Sequence, residues 1–93
     1  MYLLDAIECF SSMEPDEVKR ITFEIAVMGQ EGIDYSSPED KYRLKSLPGQ
    51  PMSGLQLMCL MYAGMKMVLP DMDPGMDLEK EYQQALILRK GKK

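Results

Sequence analysis

From Leu55 to Leu69 the sequence LQLMCLMYAGMKMVL is interrupted by charge or amide only at Gln56 and Lys66. A helix over this stretch has no polar face, so it must be covered on several sides. At fifteen residues it is too short to cross a bilayer. It therefore reads as the central core helix of a bundle, or as a helix that gives part of its surface to a partner. Ser53 and Gln56 fit a capping box at its start. Ala63 and Gly64 leave room for a neighbouring backbone, and Pro70 stops it.

Three further helices are expected around it. YLLDAIECF, residues 2 to 10, places Leu3, Ile7 and Phe10 on one stripe with Leu4 beside it. SSMEP breaks this helix. The next opens at Pro15, a first-turn position where the missing N–H is not needed. Glu14, Asp16 and Glu17 suit the positive end of its dipole. Val18, Ile21, Ile25 and Met28 form its buried stripe, and Gly32 suits a left-handed C′ position. Phe23 and Val27 lie off that stripe, which points to a second contact. The last helix follows DPGM, with Asp77 as N-cap and a stripe of Leu78, Tyr82, Ala85, Leu86 and the stem of Arg89.

Residues 33–52 have no long element. Ser37 and Pro38 suit the start of a short helical turn, KYRLKSL an extended segment, and Pro48-Gly49 a type II turn. Twenty residues of this kind are unusual in a compact domain. Either Tyr42, Leu44 and Leu47 pack the stretch down, or it is a functional loop.

The chain has 93 residues, 45% hydrophobic and 28% charged, with a net charge of −4. It is long enough to bury a core without disulfide or metal staples. The acidic balance disfavours nucleic acid as a partner. RKGKK, residues 89–93, holds four of the eleven basic residues. Arg89 and Lys90 complement the last helix's dipole, and Lys92 and Lys93 fray into solvent. The expected organisation is one helical domain over 1–88 and a basic frayed tail over 89–93. MYLLDAIEC lacks the basic opening of a secretory signal. Cys9 and Cys59 lie in apolar helical patterns and read as reduced thiols, which fits a cytoplasmic protein without a membrane span.

Chemistry is hard to place on this chain. It contains no histidine, so Ser-His-Asp, Cys-His and HExxH arrangements are excluded. It has no glycine-rich phosphate loop. Its paired carboxylates, Asp16/Glu17 and Glu39/Asp40, lie on faces that read as solvated. Asp5 and Glu8 near Cys9 would raise that thiol's pKa and dull it. LPDMDPGMDLE, residues 69–79, has the look of a calcium loop through Asp71, Asp73 and Asp77. Counted from Asp71, however, position 6 is Met76 rather than glycine and position 12 is Tyr82 rather than glutamate. The stretch reads as a helix-to-helix connection. Met58, Met61, Met65 and Met67 with Cys59 offer soft donors for Cu(I). Methionine at helical spacing is more often core, or an adaptable binding surface.

SLPGQPMSGLQLMCLMYAGMK, residues 46–66, resembles a segment of small bacterial proteins, some of them the C-terminal piece of larger proteins with a metallopeptidase domain. The resemblance carries no catalytic motif and transfers no site. It implies a bacterial accessory or interaction module.

The expectation is an all-α, small four-helix orthogonal bundle with a long irregular connection over 33–52. It acts as a non-catalytic protein-interaction or self-association module, with a homodimer as one form. The candidate partner-binding residues are Phe23, Val27, Met58, Met61, Tyr62 and Met65, and no cofactor is expected. The alternative is a small-ligand or metal-binding module using Asp71, Asp73 and Asp77 or the methionine-rich helix.

Overall fold

A computed structural model of the chain describes residues 2–71 and 78–91. It is mostly helical. Helix α1 spans Tyr2–Ser11, α2 Pro15–Gln30, α3 Gly54–Val68 and α4 Glu79–Gly91. Two short strands, β1 (Lys41–Tyr42) and β2 (Met52–Ser53), pair antiparallel, Lys41 opposite Ser53 and Tyr42 opposite Met52. Asp77, the expected N-cap of α4, and the turn before it lie outside the described residues.

The all-round apolar helix is the core. α3 packs against both α1 and α2, and α4 packs on α1. Leu57, Leu60, Met61, Tyr62 and Ala63 of α3 are buried with Leu3, Ile7 and Phe10 of α1 and Val18, Ile21 and Ile25 of α2. Its start is the expected capping box: Gln56 N–H donates to Ser53 Oγ at 3.1 Å, and Ser53 N–H to Gln56 Oε1 at 2.9 Å. Close approach occurs at Gly64. A Cβ there would overlap Thr22 Oγ1 of α2 and stand 3.1 Å from the Phe10 ring.

α2 ends as its glycine requires. Gly32 has φ +100°. Its N–H donates to the Gly29 carbonyl, and Ile33 N–H donates back to the Met28 carbonyl at 3.3 Å. That pair of bonds is a Schellman closure and satisfies carbonyls the helix leaves open.

The long connection is packed down. Leu44 is buried, and Tyr42 and Leu47 are half-buried against the core. Tyr35 Oη donates to the Ile25 carbonyl at 2.6 Å. Leu55 N–H donates to the Ser37 carbonyl at 3.2 Å. Gly54 sits so close to Asp34 that a Cβ would overlap the Asp34 carbonyl oxygen. Glu24 of α2 fastens the middle. Its carboxylate accepts from Lys45 N–H at 2.7 Å, Ser46 N–H at 2.9 Å and Ser46 Oγ.

Two local expectations need correction. Ser37 Oγ accepts from Asp40 N–H at 3.0 Å, as a cap would, but no helix follows. The chain goes straight into β1, where pairing with β2 takes over its backbone groups. Pro48-Gly49 is not a type II turn, because Gly49 at φ +156° is far more extended than that turn's third residue. Arg89 and Lys90 lie in the last turn of α4, which runs on to Gly91. Their charge at its C-terminal end suits the dipole.

The first turn of α4 is joined to α3 by side chains. Tyr62 Oη donates to Glu79 Oε2 at 2.6 Å, and Lys66 Nζ lies 3.1 Å from Glu79 Oε1. The Tyr62 and Tyr82 rings meet edge to face at 5.6 Å. These bonds hold the Glu79 carboxyl below the usual range, that from Tyr62 foremost and that from Lys66 next. No helix among the described residues is long and apolar enough to cross a membrane.

Candidate functional site

α2 turns one stripe inward and leaves another uncovered. Val18, Ile21 and Ile25 face the core. About half a helical turn away stand Phe23, 71% exposed, and Val27, 36% exposed. Spacing of three and four residues keeps Arg20, Phe23, Val27 and Glu31 along one side of the helix. The sequence pattern had set Phe23 and Val27 off the main stripe, and the core leaves both at the surface.

A depression flanks this stripe on each side. Towards α3 lies a shallow groove of about 230 Å³, lined by Lys19, Thr22, Phe23, Ala26, Met65, Val68 and Leu69. Leu69 is 52% exposed. Towards the connection lies a wider groove of about 760 Å³. Phe23, Val27 and Met28 supply its apolar part, and Arg20, Arg43, Lys45, Glu24 and Glu31 its charge. Phe23 is the ridge shared by both.

Glu24 stands in the wider groove but is already engaged. Desolvation works to raise its pKa. The hydrogen bonds from the Ser46 side chain and the Lys45 and Ser46 backbone outweigh that, with Lys45's charge helping, and the carboxyl ends below its ordinary value. It stays ionised at neutral pH, and its charge is largely spent on the loop.

The six partner-binding candidates separate into two groups. Phe23 and Val27 are exposed, and half-buried Met65 joins Phe23 in the shallow groove. Tyr62 at 2% and Met61 at 9% belong to the core. Tyr62 meets Tyr82 and Glu79 of α4, and Met61 lies in the core cluster. Met58 is half-buried against the core. Sequence reasoning missed Arg20, Glu31, Arg43 and Lys45. For Arg20 and Glu31 the signal existed, since they continue the Phe23–Val27 spacing. For Arg43 and Lys45 it did not, since only the folded connection brings them to α2.

The remaining chemical candidates are dispersed. Asp71 is exposed, and Asp73 and Asp77 lie outside the described residues. Among the described residues no three His, Cys, Asp or Glu side chains cluster as metal ligands would. The α3 methionines do not share one environment: Met61 is in the core and Met67 is 41% exposed. Cys9, half-buried, borders a cavity of about 190 Å³ with Asp5, Leu47, Met52 and Leu60. Burial raises its thiol pKa, rather than the Asp5 and Glu8 charges the sequence suggested. Burial also raises that of Cys59, and Glu81 adds to it. Neither thiol is primed as a nucleophile. No family model, curated protein or solved structure matches the chain.

Proposed function

We propose that this chain is a non-catalytic protein-interaction module that binds through the outer side of α2 and the adjoining end of α3. The observation that carries the reading is Phe23. A chain that buries Leu3, Phe10, Ile21, Ile25 and Leu57 almost completely leaves this ring 71% exposed, between two grooves. Covering a large apolar side chain contributes about 1.5–3 kcal/mol, and aromatic residues are enriched at interfaces. Val27, Met65 and Leu69 extend the apolar area. Charged side chains rim it, as they rim non-obligate interfaces. The reading takes the four helices as an orthogonal bundle of bacterial origin working in the cytoplasm, where both thiols stay reduced.

The test compares the chain with Phe23→Glu by light scattering over a concentration series, with circular dichroism as the check on folding. Concentration-dependent association that Phe23→Glu removes, with helicity kept, supports the reading. Association that survives Phe23→Glu and Val27→Glu together overturns this choice of surface. A monomer at every concentration removes self-association and leaves docking to a different protein. That form stands only if Phe23→Glu abolishes capture of a defined partner.

A further inference from the structure

The α2 stripe has a direction. Reading towards its C-terminus, exposed Arg20 comes first, then Phe23 and Val27, then exposed Glu31 at the C-cap. Lys19 stands beside Arg20, and Gln30 beside Glu31. Cation, apolar centre and anion thus follow one another along one side of a sixteen-residue helix. Taking Ile25 as the level of the centre, Phe23 and Val27 lie two residues to either side. Arg20 lies five before it and Glu31 six after it. Such a stripe is complementary to itself when turned end for end.

We propose that two copies of this chain pair through their α2 helices, antiparallel about a two-fold axis level with Ile25, with Phe23 of each copy against Val27 of the other and Arg20 of each against Glu31 of the other. The inference rests on the interaction reading above and names its partner. A two-fold interface repeats every contact twice, so one complementary pair of charges becomes two. The parallel alternative sets Arg20 against Arg20 and Glu31 against Glu31, and aligns the two helix dipoles unfavourably.

Four observations support this choice of occupant. No ion pair holds either Arg20 or Glu31 among the described residues, where Lys66–Glu79 is the pair found. Glu24, the other carboxylate on this side, is fastened to Lys45 and Ser46 and does not oppose the pairing. Arg43 and Lys45 line the same groove as Arg20, so the groove carries three cations against two carboxylates, one of them engaged. It would therefore draw in Glu31 of a second copy. Ridge and depression also alternate, as helix packing requires: Phe23 stands between two grooves.

The test is a charge-reversal cycle at Arg20 and Glu31, read by sedimentation or light scattering. Each site is exposed, so Arg20→Glu, Glu31→Arg and the double variant are expected to fold, with circular dichroism as the check. Wild type associates. Either single reversal turns two attractions into repulsions and weakens association by about tenfold. The double variant restores it. The wild-type chain supplies a second measurement, in which association weakens as salt is raised. Failure of the double variant to recover overturns the pairing. So does association that ignores both single reversals and salt. In either case, if Phe23→Glu still separates the copies, the interaction reading stands and only this register falls. A wild type that stays monomeric overturns the pairing outright, and the interaction reading then depends on a different protein.

Discussion

Glu24 should contribute more to stability than any other carboxylate on α2, because it joins the helix to a segment more than twenty residues further along. Its two oxygens accept from Lys45 N–H, Ser46 N–H and Ser46 Oγ, 21 and 22 residues further along. Hydrogen bonds to a charged group contribute about 1.5–3 kcal/mol each when desolvated. This group is partly solvated, so each bond is discounted to about 0.5–1 kcal/mol. Glu24→Ala should therefore cost about 2 kcal/mol. For a domain of this size that lowers Tm by about 8–16 °C.

Glu24→Gln separates charge from shape. One amide oxygen can still accept from Ser46, but the amide NH2 then meets the Lys45 N–H, donor against donor. The cost should approach that of alanine. The sign of the pH dependence follows from the direction of the shift. The folded carboxyl lies below its ordinary value, so its contribution is complete above the unfolded value of about 4.3. It is lost as pH falls through the lower folded value. Urea melts of wild type and Glu24→Gln, at a protein concentration low enough to avoid association, should show a constant gap from about pH 7 to pH 5, narrowing below about pH 4. A Tm change under about 2 °C for Glu24→Ala, or a gap that stays constant down to pH 3, refutes the reasoning.

Gly64→Ala should cost about 1–3 kcal/mol by denaturant melt, since its Cβ would overlap Thr22 Oγ1. Thr22→Ala should recover part of that loss, so the two changes couple in a double-mutant cycle. Leu57→Ala, at a side chain with no exposure, should cost about 2–5 kcal/mol. Phe23→Ser should change the stability of the monomer by no more than about 0.5 kcal/mol. If Phe23→Ser costs as much as Leu57→Ala at low protein concentration, Phe23 belongs to the fold and not to an interface. With an aromatic disulfide reagent at pH 8, Cys9 should react more slowly than free cysteine and Cys59 only after denaturant is added. Burial raises both thiols' pKa and shields Cys59 almost completely.

The features legible in the sequence are those settled within one helical turn. The Ser53–Gln56 box, Pro15 at the start of α2 and Gly32 past its end each act on a neighbour three to five residues away. The inward stripe of α2 and the exposed pair Phe23 and Val27 follow from periodicity alone. What escaped is long-range. Nothing local ties Glu24 to Ser46, Tyr35 to Ile25, or Gly54 to Asp34. Nor does an apolar helix show which of its sides its own chain will cover, and so Met61 and Tyr62 stood among the partner-binding candidates although methionine at helical spacing is more often core. The same ignorance hid Arg43 and Lys45, which border the α2 stripe only because Glu24 pins the segment after β1.

The long connection is packed down through Tyr42, Leu44 and Leu47, and that packing moves attention to α2. A mobile functional loop over 33–52 would have kept its backbone groups for a ligand. Instead β2, Glu24 and the start of α3 occupy several of them, and the Tyr35 hydroxyl is spent on the Ile25 carbonyl. Helix α2 is then covered by α3 on its inner side and bordered by the pinned segment along one edge. The Phe23–Val27 stripe is what remains between them. Its exposure follows from the loop being fastened, so loosening the loop should alter the stripe. Glu24→Ala ought to release Lys45 and Ser46 and widen the groove that Phe23, Val27 and Arg43 share. Association should then weaken even though no residue of the apolar stripe has changed. If Glu24→Ala lowers Tm as expected and leaves association untouched, the loop is a structural strap alone and the contact is carried by α2 and the end of α3.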